Sequence, residues 1–217
     1  MNARLPLGMP SCASHSTDPL DLTHIFDSHI QIAEWCRAPD PCISAWLQTH
    51  CNDMGSGLRQ TLSPGERPSL DRLPPGAGRE ALADDLGLLA EMLGELLDAN
   101  TIGLRLEVIH QAMCPRFHID RVGIRLLCTY RGTGTQWLES AAVDRRFLGS
   151  GSQGKPDESS GLMLPGHEIQ TLPAFSVALL KGTLWQGNAD GGIVHRSPPV
   201  TDRPRILVAM DASWDEA

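Results

Sequence analysis

The sequence lacks any apolar stretch that approaches the roughly 20 residues of a membrane-spanning helix. Its first residues, MNARLPLGMPSC, also lack an apolar core of the length found in signal peptides. Neither a membrane protein nor a secreted one is therefore expected. We expect a cytoplasmic protein with no membrane partner.

Positive charge is scarce in this chain. The formal net charge is −8 at pH 7, and only Lys155 and Lys181 are lysines among the 18 basic residues. Surfaces that bind nucleic acid need a positive excess to displace counterions from phosphates, so we expect no nucleic-acid partner. Several arginines lie between Arg116 and Arg146. We interpret this local excess as a solvated face rather than as a site for an anionic substrate.

The six cysteines include no pair of the Cys-x-x-Cys type, so the sequence gives no support to a structural zinc knuckle. Without a secretory signal, reduced thiols are expected rather than disulfides. The cysteines are Cys12, Cys36, Cys42, Cys51, Cys114 and Cys128.

A length of 217 residues with 41% hydrophobic content suits one well-buried core in a single domain, 1–217. Residues 1–24 carry Pro, Ser, Thr and Asp without periodicity, which predicts a flexible arm. Residues 25–100 are expected to form an α/β support. Residues 101–217 are expected to form a strand-rich core that carries the candidate metal ligands described below.

The clearest helix is predicted between residues 79 and 100, where leucines at helical spacing make one apolar stripe. Gly87 and Gly94 weaken such a helix by about 1 kcal/mol each relative to alanine, so it must gain stability by packing the stripe on another layer. A sheet is the natural partner, because the downstream sequence resembles strands. The stripe comprises Leu82, Leu86, Leu89, Leu93, Leu96 and Leu97.

The support region before this helix is less regular. Residues 25–35 alternate in polarity, and residues 43–50, behind Pro41, predict a short helix. Residues 52–78 are rich in Gly, Pro, Ser and Arg, which predicts an irregular surface connection.

Downstream of residue 100 the sequence predicts a series of short strands. The first alternates apolar and polar residues between Ile102 and Val108, as a half-buried strand does. Residues 149–161, GSGSQGKPDESSG, are low in apolar residues and predict a mobile loop that acts as a lid or insertion. One helix followed by many strands favours an α+β chain built on a closed or sandwiched antiparallel sheet. The further strands are predicted at 124–130, 169–172, 175–181, 192–195 and 205–210.

The segment CPRFHID, residues 114–120, places His118 and Asp120 two residues apart after a strand. Residues i and i+2 of an extended backbone project from the same face, so both side chains can reach one ion. His195 ends another predicted strand, in GGIVHRSPP. Two imidazoles and one carboxylate on adjacent strands form a facial triad, which leaves open positions on an octahedral Fe(II) ion.

Arg205 follows His195 by ten residues and lies on the next predicted strand. An arginine there can make two parallel charge-assisted hydrogen bonds to a carboxylate bound beside the metal. The order His118-x-Asp120, a distal His195 and then Arg205 resembles the motif of the Fe(II)- and 2-oxoglutarate-dependent oxygenases. This resemblance covers about residues 104–211.

The resemblance implies a double-stranded β-helix core, the jelly roll of the cupins, supported by an N-terminal helical region. It implies that His118, Asp120 and His195 hold Fe(II) and that Arg205 binds the distal carboxylate of 2-oxoglutarate. It also implies hydroxylation or demethylation of a small-molecule or protein substrate, which the sequence does not identify.

The sequence departs from this motif at Leu207, because many members carry a hydroxyl two residues after the arginine. Arg203 is therefore an alternative carboxylate partner, and Tyr130 or Thr129 an alternative source of the hydroxyl. The phrases CPRFHIDRVGIRLLCTYRGTGTQWL and GIVHRSPP also resemble an uncharacterised bacterial family of unknown function. That family is associated with zinc-homeostasis gene neighbourhoods, which leaves zinc open as the metal.

Three functional hypotheses remain open at this point. The first is the 2-oxoglutarate-dependent oxygenase. The second is a non-catalytic zinc-binding or sensing protein of cupin-like fold that uses the same three ligands. The third is an interaction module without a metal. Cys114, four residues before His118, is an alternative nucleophile or ligand, although packing is the commoner role of a free cysteine.

Overall fold

Ten strands and three α-helices form the fold in the computed structural model, which describes residues 11–189, 191–201 and 203–214. The helices in these ranges include none that is both long enough and apolar enough to cross a lipid bilayer. The α-helices are α1 Pro41–His50, α2 Ala77–Leu97 and α3 Asp157–Ser160. The strands are β1 Ala13–Ser16, β2 Ile32–Trp35, β3 Gly57–Leu62, β4 Thr101–Ile109, β5 Ile124–Arg131, β6 Gln136–Leu138, β7 Gln170–Thr171, β8 Val177–Lys181, β9 Val194–Arg196 and β10 Arg205–Ser213.

The strands form two sheets. The larger has the order β1-β2-β8-β5-β10-β4-β3 and the smaller the order β7-β6-β9. An antiparallel backbone bridge between His118 and His195 adds the segment around His118 to the smaller sheet, as a fourth extended segment beside β9. The antiparallel strands β8-β5-β10-β4 of the larger sheet and the smaller sheet enclose an apolar core between them, as the two sheets of a jelly roll do. The predicted α+β class with a double-stranded β-helix core is confirmed.

Alternate residues of β10 contribute to two different cores. Ile206 and Val208 belong to the core beneath α2, whereas Leu207 and Ala209 pack in the space between the two sheets. Side chains alternate between the faces of a strand, so Arg205, the first residue of β10, faces the same space as Leu207 and Ala209. This alternation brings the arginine to the inside of the barrel.

Helix α2 covers the outer face of the larger sheet, as its leucine stripe predicts. Gly94 allows close contact with the segment that precedes the helix, since a β-carbon at this position would lie 2.7 Å from the Pro64 side chain. The buried residues of the stripe are Leu82, Leu86, Leu89 and Leu93, each no more than 1% exposed. The predicted packing of the stripe is therefore confirmed.

Helix α1 is present as predicted but begins at Pro41, two residues before the predicted start at residue 43. Pro41 occupies its first turn, and the Asp40 carboxylate accepts a hydrogen bond of 2.9 Å from the backbone N–H of Ile43. The N–H groups of the first turn have no partner within the helix, so a proline, which has no N–H, is tolerated there. The aspartate at the N-cap accepts a hydrogen bond from one of the remaining free N–H groups.

Replacing Leu89 with alanine should lower the free energy of unfolding by about 2 to 5 kcal/mol, because it leaves a cavity in the core beneath α2. Leu88→Ala is the matched control, since Leu88 is 44% exposed. Urea denaturation followed by circular dichroism measures both changes. Equal, small effects for the two variants would contradict the packing of the stripe.

Two predictions for the first hundred residues are wrong. A flexible arm was expected over residues 1–24, of which residues 1–10 lie outside the described residues. From residue 11 the segment is ordered, because β1 pairs in parallel with β2 and Pro19–Phe26 form a 3₁₀ helix. The irregular connection expected over residues 52–78 contains β3, which pairs with β4. Leu62 is the one buried residue of β3, so this edge strand shows no clear alternation in sequence. Residues 25–100 thus add strands to the main sheet.

The segment 149–161 is folded, so the prediction of a mobile loop is wrong. It contains a 3₁₀ turn, Gly149–Ser152, and α3. Asp157 is 3% exposed, and its carboxylate accepts hydrogen bonds from Nε of Arg116 at 2.7 Å and from the backbone N–H of Phe117 at 2.8 Å. Buried carboxylates persist when such bonds satisfy them. The segment therefore anchors the chain immediately before His118.

Candidate metal and carboxylate site

The three predicted metal ligands converge at one end of the barrel. His118 and His195 exchange backbone hydrogen bonds of 3.0 and 2.9 Å, which places their rings side by side with centroids 4.5 Å apart. Asp120 lies two residues beyond His118, with its carboxylate oxygens 3.6 Å from Nε2 of His118 and 3.5 Å from Nε2 of His195. The ligand atoms of all three residues lie within 4.8 Å of one another. The predicted convergence is confirmed.

Backbone carbonyls orient both imidazoles. Nδ1 of His118 lies 2.9 Å from the carbonyl oxygen of Arg116, and Nδ1 of His195 lies 3.1 Å from that of Ile193. Each Nδ1 therefore donates its proton to a carbonyl, which leaves the lone pair on Nε2. Metal-binding histidines commonly have their second nitrogen held in this way. Both Nε2 atoms face Asp120.

Arg125 holds the carboxylate of Asp120 on its other side, a contact that the sequence analysis did not predict. Its guanidinium donates one hydrogen bond of 2.6 Å to Asp120 and two, of 2.7 and 3.0 Å, to Asp211. Arg105 donates a further one to Asp211. Burial alone would raise the pKa of Asp120, but the two adjacent histidines and the charge of Arg125 hold that pKa well below its ordinary value. Asp120 is therefore a carboxylate at neutral pH.

Arg205 is 2% exposed and has no carboxylate partner among the described residues. One terminal nitrogen donates hydrogen bonds of 3.0 and 2.9 Å to the hydroxyl oxygens of Thr129 and Thr135. Its Nε and its other terminal nitrogen are buried without a hydrogen-bond partner. Burial lowers the pKa of Arg205 to about 10. An isolated buried cation is costly, so such a group calls for an anion that the protein itself does not supply.

The other proposed carboxylate and hydroxyl partners lie elsewhere. Tyr130 is on the opposite face of β5, beneath α2, where its hydroxyl donates to Asp85. Arg203 is exposed and donates to the backbone carbonyl of Gln48. Their predicted roles in cosubstrate binding are therefore wrong, because neither side chain faces the inside of the barrel.

Two threonine hydroxyls contact Arg205, although the residue two positions after it, Leu207, carries no hydroxyl. Thr129, an alternative predicted from the sequence, and Thr135, which was not predicted, both contact Arg205. Each accepts its bond from the arginine, so each hydroxyl proton remains available to a further acceptor. The two threonines are close in sequence, Thr129 on β5 and Thr135 directly before β6. The pairing of β10 with β5 brings Arg205, which is distant in sequence, to both hydroxyls.

A cavity of about 110 Å³ joins these groups. It is lined by the three candidate ligands and also by Thr135, which contacts Arg205 directly. Cys114 is exposed at the same cavity but does not belong to the cluster of ligand atoms. The cavity therefore extends from the His-Asp-His cluster to Thr135, which binds the buried arginine.

The fold and this cluster define the chain as a double-stranded β-helix protein with a His-Asp-His site. It belongs to the family described as "Protein of unknown function (DUF1826)", whose profile matches residues 16–211. A comparison with curated proteins finds no match.

Several solved structures of oxygenases are similar to this chain. They include the dioxygenase for auxin oxidation of rice, at 14% identity over 93% of this chain and 82% of that one, with a TM-score of 0.47. The dioxygenase for auxin oxidation 1 of Arabidopsis thaliana, bound to 2-oxoglutarate, is 10% identical over 94% and 92%, with a TM-score of 0.48. A prolyl-4-hydroxylase of Pseudomonas putida is 10% identical over 89% and 97%, with a TM-score of 0.46. At such values the likeness says nothing about the chemistry of this chain.

Proposed function

We propose that this protein is an Fe(II)- and 2-oxoglutarate-dependent oxygenase. The observation that carries the proposal is Arg205, a buried guanidinium with two unpartnered nitrogens beside a cavity that also holds a His-Asp-His cluster. A protein that only bound a metal through the cluster would not need this buried cation. The cation implies that a carboxylate enters the same cavity as the metal.

The donor set fits iron. Two neutral imidazole nitrogens and one carboxylate, all on one side of the ion, are the ligands typical of non-haem Fe(II) sites that keep positions open. The carbonyls of Arg116 and Ile193 pre-orient the imidazoles, and Arg125 fixes the carboxylate of Asp120. No rearrangement is needed for His118, Asp120 and His195 to point at a common centre.

The surroundings of Arg205 fit a dicarboxylate such as 2-oxoglutarate. The free guanidinium nitrogens offer charge-assisted hydrogen bonds to one carboxylate, and the hydroxyls of Thr129 and Thr135 offer further protons. The other end of the molecule would then reach toward the histidines. Leu207 and Ala209 present an apolar wall between the two ends.

In this mechanism the side chains bind and position. Bound Fe(II) and 2-oxoglutarate would, together with molecular oxygen as the oxidant, supply the chemistry for hydroxylation or demethylation of a substrate. Arg205 neutralises the distal carboxylate of the cosubstrate and sets its direction. Asp157 binds the side chain of Arg116 and the backbone N–H of Phe117, which keeps His118 in register with His195. The substrate, a small molecule or a protein side chain, enters from the exposed side near Cys114.

Anaerobic titration of the Fe(II)-loaded protein with 2-oxoglutarate tests the proposal. The expected result is a visible charge-transfer band that saturates at one equivalent, because chelation of iron by a 2-oxo acid produces such a transition. The Zn²⁺-loaded protein is the control, since zinc has a filled d shell and gives no such band.

An iron-loaded protein that shows no band with 2-oxoglutarate would contradict the proposal. It would favour the zinc-binding, non-catalytic alternative. Consumption of 2-oxoglutarate by the aerobic protein, measured alongside metal content, gives the corresponding readout of turnover.

A further inference from the structure

A second group of metal-ligand side chains lies where β1 joins the larger sheet. The parallel pairing of β1 and β2 sets His15 opposite Glu34. Cys36 is two residues beyond Glu34, on the same face of the extended chain, and its backbone N–H donates to the carbonyl of Ser16 at 2.6 Å. The ligand atoms of His15, Glu34 and Cys36 lie within 4.8 Å of one another.

The carboxylate of Glu34 is buried and only partly satisfied. Its side chain is 4% exposed, and one oxygen contacts Nδ1 of His15 at 2.6 Å. The other oxygen is buried and makes no hydrogen bond of normal geometry, with the Ser176 hydroxyl and the Cys36 thiol next to the carboxylate. An ionised carboxylate has about four acceptor positions, so much of its capacity is unused here. A buried anion in this state favours a cation beside it.

The group is open to solvent on one side and separate from the His-Asp-His site. The side chain of His15 is 47% exposed, so an ion can reach Glu34 past it. None of the three residues lines the cavity that holds His118, Asp120 and His195. The two groups therefore form two independent candidate centres.

We propose that His15, Glu34 and Cys36 form a second metal site, which binds a borderline divalent cation such as Zn²⁺. One nitrogen, one oxygen and one sulfur ligand suit zinc, whereas Mg²⁺ and Ca²⁺ require oxygen ligands. Water completes a four-coordinate ion on the exposed side. The ion takes the place of the proton between Nδ1 of His15 and Glu34, which leaves a charged ring for solvent or moves to Nε2 of a neutral ring. The thiol of Cys36 releases its proton to solvent as the metal–sulfur bond forms.

Cobalt substitution tests this site in the full-length protein. Co²⁺ bound to a thiolate gives a near-ultraviolet charge-transfer band, and the His-Asp-His site supplies no thiolate. The band is expected in the unmodified protein and in the variant His195→Ala. It is expected to vanish in Cys36→Ser, and His15→Gln should weaken Co²⁺ binding on the order of 100-fold, at the upper end of what loss of a supporting residue costs a metal site.

Cys114→Ser is the matched control, because Cys114 is the thiol nearest the other site and should leave the band unchanged. Zinc retained after dialysis provides a second measure, with one equivalent fewer in Cys36→Ser than in the unmodified protein. His15→Gln alters a half-exposed side chain, so it tests the site even if Cys36→Ser fails to fold. A band that is absent from the unmodified protein, or that persists in Cys36→Ser, would overturn the proposal.

Discussion

Replacing Arg205 with methionine should nearly abolish 2-oxoglutarate binding. Removing one partner of a buried charge pair costs about 2 to 5 kcal/mol, which corresponds to on the order of 30- to 4,000-fold in the dissociation constant. Iron content should stay close to that of the unmodified protein, because Arg205 contacts none of the three candidate ligands. Anaerobic titration with 2-oxoglutarate, combined with elemental analysis, measures both quantities.

The same variant also separates a functional arginine from a structural one. Without cosubstrate, Arg205 is a buried cation with two unsatisfied nitrogens, so a methionine of similar length should leave the free energy of unfolding unchanged or raise it. Arg203→Met is the matched control, since Arg203 is exposed and bonds the backbone carbonyl of Gln48 near the end of α1. A marked loss of stability in Arg205→Met, with 2-oxoglutarate affinity intact, would show that the arginine serves the fold.

Replacing His195 with alanine should remove both metal binding and turnover. Loss of one of three protein ligands should weaken Fe(II) binding by at least about 100-fold, since even supporting residues contribute 10- to 100-fold. On the proposed function, 2-oxoglutarate consumption should fall to background, because the cosubstrate would bind through the metal. The backbone bonds between residues 118 and 195 do not involve the side chain, so the fold should persist.

His167→Ala is the control for this change, because His167 is exposed and belongs to neither cluster of ligand atoms. Iron content by elemental analysis and the near-ultraviolet circular dichroism of the two variants are compared. Normal iron content in a folded His195→Ala variant would remove His195 from the ligand set. Measured together, the Arg205 and His195 variants distinguish loss of cosubstrate from loss of metal.

The elements that the sequence predicted well are those with a strong period. The leucine stripe of α2 and the alternation of β4 follow from burial of one face, which imposes a period of 3.6 or 2 on the chain. β3 was missed because it lies at the edge of the sheet and only its last residue, Leu62, is buried, so its sequence shows no alternation of apolar residues. The folded state of residues 149–161 was missed because it rests on single polar contacts, above all those of Asp157.

The candidate site was predictable in part. His118 and Asp120 stand out because their two-residue spacing is local. His195 was identified at the end of a predicted strand and Arg205 ten residues later, and the order of the four resembles a known motif. Thr135 and Arg125 carry no such signal, since hydroxyls and arginines are common in strands. Tyr130 illustrates the opposite error, because it is adjacent to Thr129 in sequence and therefore faces the other side of the sheet.

The amino-acid sequence by itself determined the α+β class, the main helix and the local His-x-Asp pair, because each depends on periodicity or spacing within a few residues. Only the tertiary structure decided which distant groups meet. The pairing of β10 with β5 brings Arg205 to Thr129 and Thr135, and the pairing of β1 with β2 sets His15 beside Glu34. Such contacts depend on strand order and register, which join residues that no short-range pattern links.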